Sequence, residues 1–296
     1  ARTAHPSWIL DAYRQVRGSD IDALIDANNE PPVPTLIALP GLAKRPADAY
    51  PTLYSPYGFR NPLGSPSHYT ASSQGTIRVQ DEGSQIAALL LTGASEIVPG
   101  EEWLDLCAGP GGKTAILGAV ALQTGARVMA NEITPHRADL VVDAVTASSS
   151  AVMVVSEDGR SLRAHHRNEF TRVLADVPCT GLGALRRRAE SRWRKSPRLL
   201  AELVPLQRDL LNSALEMTAP GGVVAYVTCS PHAAETTEVV EWISEHRRDI
   251  EILDTPEVAR RVFPNLADAE RGTAIQLWPD LHETDAMFIQ LIRRTQ

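Results

Sequence analysis

The sequence contains few cysteines and few aromatic residues, and it has no long hydrophobic run. Its three cysteines, Cys107, Cys179 and Cys229, are an odd number without paired spacing, which argues against a disulfide framework and is typical of a reducing cytoplasm. A zinc site is not expected, because there is no C-x-x-C pair and no histidine at ligand spacing. No apolar run approaches the roughly 20 residues of a membrane helix, and the first residues do not resemble a signal peptide. These absences predict a cytoplasmic protein with no membrane and no metal.

Strands and helices alternate from about residue 77 onward. The predicted strands of the chain are 35–39, 102–107, 127–131, 151–155, 172–176, 223–228 and 287–292. The predicted helices are 5–16, 19–27, 85–91, 113–123, 135–146, 199–218 and 235–246. Alternation of this kind is typical of an α/β fold with a doubly wound, mostly parallel sheet.

The first 75 residues have a different composition. Prolines and glycines are frequent between residues 31 and 66; proline removes a backbone donor and glycine frees φ, so long regular elements are not expected there. We interpret residues 1–75 as a small α+β accessory domain and residues 76–296 as the main domain, with the junction at 72–75.

The net charge of the 296-residue chain is −7, which weighs against a nucleic-acid binder. The stretch 186–198 is an exception, with seven basic residues and one acidic residue. Such a run is often only a solvated, mobile loop. This one starts seven residues after Cys179 and should lie near the same rim of the sheet, so we favour a role in contacting phosphates. Aromatic residues make up only 5% of the chain, and Trp193, inside the run, is the candidate for stacking on a base.

A glycine-rich turn indicates a nucleotide-type ligand. The strand that ends in Asp105 is followed by a Gly-Pro-Gly-Gly turn and a helix, as in phosphate and nucleotide sites, although the spacing is neither that of a P-loop nor that of a clean dinucleotide motif. Glu132 closes the next strand, where a carboxylate can accept hydrogen bonds from ribose hydroxyls, and Asp158, after the third strand, is placed to contact an adenine amino group. Three carboxylates in this order fit a nucleoside ligand such as S-adenosylmethionine. The alternative is that they cap helices.

Three motifs together resemble the NOL/NOP/Sun family of RNA cytosine-5 methyltransferases: DLCAGPGGKT at 105–114, DVPCTG at 176–181 and TCS at 228–230. The segments 79–85 and 282–288 resemble the start and the closing strand of the catalytic domain in that family. The HPSW segment at 5–8 resembles the start of the accessory domain in the bacterial RsmB (Sun, Fmu) branch, which acts on 16S ribosomal RNA. The resemblance covers essentially the whole chain.

The resemblance implies a chemical role for each thiol. Cys229 would attack carbon 6 of cytosine, which makes carbon 5 nucleophilic, and Cys179 would assist product release. Asp176 would hold the polar edge of the base, and the charge of Lys113 would favour a thiolate. Cys107 is expected to be an inert, packed thiol.

The resemblance also implies the fold, the ligands and the binding residues. The fold would be a Rossmann-like methyltransferase domain with a seven-stranded sheet, preceded by an RRM-like, RNA-binding accessory domain. The cofactor would be S-adenosyl-L-methionine, and the partner ribosomal RNA or a small-subunit assembly intermediate, bound by a monomer. The expected cofactor-binding residues are Cys107, Ala108, Gly109, Pro110, Gly111, Gly112, Lys113, Glu132, Arg137, Asp158, Gly159 and Asp176. The expected RNA-binding residues are Arg186, Arg187, Arg188, Arg192, Trp193, Arg194 and Lys195.

The sequence departs from the family pattern in two places. After the Thr-Cys motif, Glu235 is kept, but the two threonines at 236–237 replace the usual Asn-Glu. The NusB-like domain that usually comes before the HPSW segment is absent, and the chain does not begin with methionine, so we expect a fragment of a longer protein. Two alternatives stay open: a DNA cytosine-5 methyltransferase in which Cys179 is the nucleophile, and a non-catalytic RNA-binding assembly factor.

Overall fold

The structure is a computed structural model that describes residues 4–61, 65–71 and 73–296. Residue 72, part of the expected junction, therefore lies outside the described residues, as do residues 1–3 and 62–64. None of the described helices is long and apolar enough to cross a membrane.

The N-terminal part contains a small antiparallel sheet. Its elements are α1 (Ser7–Arg17), α2 (Asp22–Asn29), β1 (Thr35–Ala38), β2 (Tyr50–Pro51), β3 (Gly58–Arg60), α3 (Ser67–Thr70) and β4 (Ile77–Val79). The strand order is β2-β3-β1-β4, and every pairing is antiparallel. The strands are short, as the frequent prolines predict, and β4 lies beyond the expected boundary at residue 75.

The first two helices do not pack on this small sheet. Ile9, Tyr13 and Leu24 form a buried cluster with Leu182 and Leu185 from the main part of the chain. The N-terminal helices therefore support the loop that follows the Pro-Cys motif.

The main part alternates strands and helices. It begins with α4 (Glu82–Thr92), β5 (Glu102–Asp105), α5 (Gly112–Thr124), β6 (Arg127–Asn131), α6 (Pro135–Ala144), β7 (Val152–Val155), β8 (Phe170–Asp176) and α7 (Pro197–Met217). It continues with β9 (Thr218–Thr228), α8 (Thr237–His246), β10 (Ile250–Ile252), α9 (Thr255–Val262), β11 (Glu270–Arg271), β12 (Ala274–Gln276), α10 (Pro279–His282) and β13 (Phe288–Arg294).

The central sheet has a parallel half and an antiparallel half. Its order is β11-β12-β13-β9-β8-β5-β6-β7, and β10 also pairs with β13. The strands β7, β6, β5, β8 and β9 are parallel to one another, and β13 runs antiparallel to β9. This is the expected Rossmann-like fold. Within the described residues the central sheet has nine strands where seven were expected, because the short pair β11 and β12 extends one edge.

The core of the main part lies on both faces of this sheet. Residues of β5, β8 and β9 are almost all buried, with α4 and α5 on one face and α7 and α8 on the other. Continuous burial is typical of parallel strands covered by helices on both sides.

An arginine is buried at the start of β8. Arg172 is 2% exposed, and its Nε donates to Glu101 Oε2 at 2.9 Å. The same guanidinium donates to the carbonyl oxygens of Leu91 and Glu96. The network joins β8, which ends at the Pro-Cys motif, to the C-terminal end of α4.

We expect Arg172→Met to lower the free energy of unfolding by about 3 kcal/mol, because it leaves the Glu101 carboxylate without its buried partner. Arg127→Met is the matched control. Arg127 pairs with Glu102 at 3.7 Å from a side chain that is 76% exposed, so its loss should change stability by less than about 1 kcal/mol. Denaturant unfolding of both variants measures the difference, and equal losses would contradict a structural role for the buried network.

Candidate active site

Carboxylates collect at one edge of the central sheet. Asp105 and Asp176 end β5 and β8, Glu132 directly follows β6, and Asp158 lies just after β7. Since these strands are parallel, their carboxyl ends meet at the same edge, where α/β folds bind ligands.

The larger of two neighbouring cavities at this edge has a volume of about 330 Å³. It is lined by nine of the catalytic or cofactor-binding residues expected from the sequence: Cys107, Gly109, Glu132, Arg137, Asp158, Gly159, Asp176, Cys179 and Cys229. The other lining residues were missed: Leu106, Asn131, Ile133, Arg160, Val177, Pro178, Leu206 and Leu210. Leu106, Val177 and Pro178 lie inside the quoted motifs but were not singled out. The apolar residues Ile133, Leu206 and Leu210 belong to no motif, so only their position in the fold reveals them.

The smaller cavity has a volume of about 190 Å³ and lies on the side of α5. Its lining residues are Val79, Gln80, Ser84, Asp105, Cys107, Ala108, Gly109, Pro110, Gly112, Lys113 and Asp176. Three of them, Cys107, Gly109 and Asp176, also line the larger cavity. The two cavities are therefore adjacent parts of one site.

The glycine-rich turn is held against the end of β6. The amide of Gly109 donates to Glu132 Oε2 at 3.1 Å, and Arg137 Nη2 donates to the carbonyl of Gly109 at 2.6 Å. A Cβ on Gly109 would lie 2.2 Å from Glu132 Oε2, so a larger residue there would displace the Glu132 carboxylate from the turn. Gly111 has a φ of +97° and faces Ala144 of α6; it lines neither cavity.

Asp158 is paired with a residue that the sequence did not point to. Arg160 Nη2 donates to Asp158 Oδ2 at 2.6 Å, and Arg160 Nε donates to Oδ1 at 3.0 Å. The hydrogen bond from Arg160 is the main reason that the pKa of Asp158 is lowered. The carboxylate of Asp158 is therefore charged at the rim of the larger cavity.

The two thiols of the Pro-Cys and Thr-Cys motifs are in contact. Cys179 Sγ lies 3.3 Å from Cys229 Sγ. Beside them, Lys113 Nζ donates to Asp176 Oδ2 at 2.5 Å. Burial disfavours the charge of Lys113, but Asp176 outweighs this effect and raises the pKa of the ammonium. A permanent cation therefore lies next to the thiol pair.

The surroundings of Cys179 and Cys107 disfavour their ionisation. The hydrogen bond with Cys229, and then burial, raise the pKa of Cys179 well above its ordinary value. Burial and the neighbouring Asp105 do the same for Cys107, as expected of an inert thiol, although Cys107 lines both cavities. Within the described residues, no cluster of three or more His, Cys, Asp or Glu could hold a metal ion.

The basic run divides into an internal and an external set. Arg186 and Arg187 each contact both Asp81 and Asp285, at distances from 2.7 to 3.0 Å. Arg192 is 2% exposed and donates to Asn28 and Asn29 at the end of α2. The guanidinium groups of these three arginines therefore join the loop to the start of α4 and to the N-terminal helices, and their predicted role in RNA binding stays a prediction.

The other predicted RNA-binding residues are exposed or partly exposed: Arg188, Trp193, Arg194 and Lys195. Trp193 is 66% exposed. These four residues stay available as the predicted RNA-binding surface.

Comparison with known proteins identifies the family. The family described as 16S rRNA methyltransferase RsmB/F matches residues 94–293. The chain belongs to this family. It is 44% identical over 98% of its length to a provisionally named methyltransferase, MT1451, of Mycobacterium tuberculosis, and 32% identical over 92% to ribosomal RNA small subunit methyltransferase B of Klebsiella pneumoniae. The chain spans 64% of the length of each of these relatives.

Solved structures share the fold. The structure of NSun6 from Pyrococcus horikoshii with SFG superposes with a TM-score of 0.82 at 16% identity. The superposition covers 100% of this chain and 100% of that chain. The structure of a methyltransferase homologue from Pyrococcus horikoshii superposes with a TM-score of 0.78 at 23% identity. The superposition covers 98% of this chain and 96% of that chain. Membership of the RsmB/F family confirms the expected fold and the expected cofactor, S-adenosyl-L-methionine.

The residues of the site fit this cofactor. Asp105 is 1% exposed and Gln80 is 7% exposed. Among the described residues, Asp105 Oδ1 and both amide atoms of Gln80 have no hydrogen-bond partner, and both side chains line the smaller cavity. The nucleoside could be held by Glu132 and the apolar wall of the larger cavity. The amino-acid end could then satisfy Asp105 and Gln80.

Asp105 provides a test of this fit. Burial raises its pKa to about 7, although a hydrogen bond from Thr114 at 2.7 Å offsets part of the effect. A carboxyl whose pKa is higher in the folded state favours folding while it is protonated. That contribution is lost as the pH rises through about 7.

We expect Asp105→Asn to raise the free energy of unfolding of the cofactor-free protein at pH 8, by a few kcal/mol in order of magnitude, and to have little effect at pH 4. The same variant should bind S-adenosylhomocysteine more weakly. Unfolding curves at both pH values and calorimetric titration measure the two effects. A variant with unchanged affinity would show that Asp105 does not contact the cofactor.

Proposed function

We propose that this chain transfers a methyl group from S-adenosylmethionine to carbon 5 of a cytosine in ribosomal RNA. The observation that carries the proposal is the pair of thiols, 3.3 Å apart, at the mouth of the cofactor cavity. Carbon 5 of cytosine is a weak nucleophile, and a thiol that adds to carbon 6 activates it. A methyltransferase that modified only a nitrogen or an oxygen would not need this pair.

The surroundings support Cys229 as the nucleophile. The hydrogen bond between the two thiols, in which either sulfur can be the donor, and then burial raise the pKa of Cys179 well above its ordinary value, which disfavours a thiolate there. The charge of Cys229 contributes to the raised pKa of Lys113, so the ammonium stabilises a thiolate there. The same reasoning disfavours the DNA-type alternative, in which Cys179 would attack.

The reaction then proceeds in two halves. In the first, the Cys229 thiolate bonds to carbon 6, and carbon 5 takes the methyl group that the cofactor supplies. In the second, water accepts the proton of carbon 5, the electron pair restores the double bond between carbons 5 and 6, and Cys229 leaves with the electrons of the carbon–sulfur bond. Cys179 can donate its proton to the departing sulfur. Asp176 and Lys113 are placed to orient the polar edge of the base.

Exchange of each thiol for serine separates the two roles. Cys229→Ser should abolish the denaturant-resistant adduct with RNA that contains 5-fluorocytosine and should reduce methyl transfer by roughly 10³-fold or more. Cys179→Ser should still form the adduct. If only Cys179→Ser abolished adduct formation, Cys179 would be the nucleophile and the proposed assignment would be wrong.

The exposed part of the basic run is the proposed RNA contact. Trp193→Ala should weaken RNA binding by about 1–3 kcal/mol, the usual range for one base–aromatic stack, and leave cofactor binding unchanged. Trp193→Phe keeps a ring and should retain most of the affinity. Filter binding with ribosomal RNA fragments and calorimetry with S-adenosylhomocysteine provide the two readouts. RNA affinity that is the same in the alanine variant and the wild type would exclude Trp193 from the interface.

A further inference from the structure

Two buried polar side chains contact the backbone on either side of Cys179. Gln207 of α7 and Glu235, which follows β9, are both 0% exposed. Gln207 Nε2 donates to the carbonyl of Pro178 at 2.9 Å, and Glu235 Oε1 accepts from the amide of Thr180 at 2.7 Å. The residues before and after Cys179 are therefore both held. We call Gln207 and Glu235 the clamp.

The clamp is connected internally and to the second thiol. Gln207 Nε2 donates to Glu235 Oε1 at 3.0 Å, so the two side chains act together. The hydroxyl of Thr180 donates to Glu235 Oε2 and lies 3.2 Å from the hydroxyl of Ser230, which follows Cys229. One carboxylate thus sets the position of the Pro-Cys turn relative to the Thr-Cys turn.

The charge of Glu235 is unusual for its location. All of its hydrogen-bonding partners are neutral donors, and no ion pair to it exists within the described residues. A buried carboxylate without a cation is costly to desolvate, so an amide would serve better if only hydrogen bonds were needed. The charge acts on Cys179, because Glu235 contributes to the raised pKa of that thiol.

We propose that the clamp of Glu235 and Gln207 positions Cys179 for the release half of the reaction, and that both are positioning residues for this step. The inference rests on the proposed function, in which Cys179 donates its proton to the departing Cys229. Loss of the clamp should leave attack by Cys229 largely intact, since Cys229 directly follows β9 and is not contacted by the side chains of the clamp. It should slow the breakdown of the covalent intermediate.

Glu235→Gln tests the charge with little change in size. We expect the covalent adduct with unmodified cytosine RNA and S-adenosylmethionine to form at a rate within about twofold of the wild type. Its breakdown should slow by roughly 10-fold or more, a part of the roughly 10²–10⁴-fold that general acid catalysis contributes. The adduct should therefore accumulate on denaturing gels. Glu238→Gln, on the exposed first turn of α8, is the matched control and should behave as the wild type.

A second readout does not depend on turnover. In a Cys229→Ser background, iodoacetamide labelling of Cys179 should move to lower pH when Glu235→Gln is added, because a negative charge near the thiol is removed. A structural role alone would not shift this profile. Gln207→Met, which keeps the carboxylate but breaks the link to Pro178, should slow adduct breakdown without this shift. The Gln207→Met variant therefore tests the proposal even if the Glu235→Gln variant does not fold.

The outcomes separate the clamp from the proposed function. A wild-type protein that forms no adduct would overturn the proposed function. If the wild type forms the adduct, and the adducts of Glu235→Gln and Gln207→Met break down as fast as that of the wild type, the role of the clamp is wrong and the proposed function stands. Equal slowing of adduct formation and breakdown would also overturn the role of the clamp, since the defect would then be a general distortion of the site.

Discussion

The parallel pairing of β8 with β9 is the constraint on which the site depends. In this register Asp176 lies opposite Val227, so both strands end at the same edge and the turns that follow them lie side by side. Cys179 and Cys229, 50 residues apart in the chain, are brought to 3.3 Å in this way. A slip of one residue would turn the side chains of a strand to the other face of the sheet and would separate the thiols.

The chemistry of each thiol then depends on its neighbours. Cys229 lies near the Lys113–Asp176 pair, where a cation stabilises a thiolate. Cys179 lies between the backbone groups that Gln207 and Glu235 contact. Its hydrogen bond with Cys229, burial and nearby negative charge raise the pKa of this thiol. In the proposed mechanism, these two thiols in contact serve opposite halves of one reaction, because their neighbours differ.

Arginine has an internal role in this acidic protein. Arg172, Arg186 and Arg192 are each buried and donate several hydrogen bonds to carboxylates, amides or carbonyl oxygens. The planar guanidinium with its five donors suits such sites better than lysine does. The RNA-binding surface that we propose is consequently smaller than the density of basic residues suggests. It consists of Trp193 and the exposed basic side chains close to it in the sequence.

The sequence by itself determined the elements and the cofactor turn, because these depend on local patterns. Strand–helix alternation predicted each long strand of the central sheet and its helices, and the Gly-Pro-Gly-Gly turn predicted a ligand site at the end of β5. The elements between residues 250 and 282 were missed. Four of them, β10, β11, β12 and α10, have only two to four residues and carry too little periodicity, and α9 has eight. The contribution of Arg160 was missed as well.

Only the tertiary structure decided which charged groups face each other. Arg186 and Arg188 are indistinguishable as sequence neighbours in one basic run, yet the first meets Asp81 and Asp285 from distant segments and the second is exposed. The contact of Glu235 with the Pro-Cys turn is equally long-range. Long-range pairing and burial are set by the packing of whole elements, and no local pattern records them.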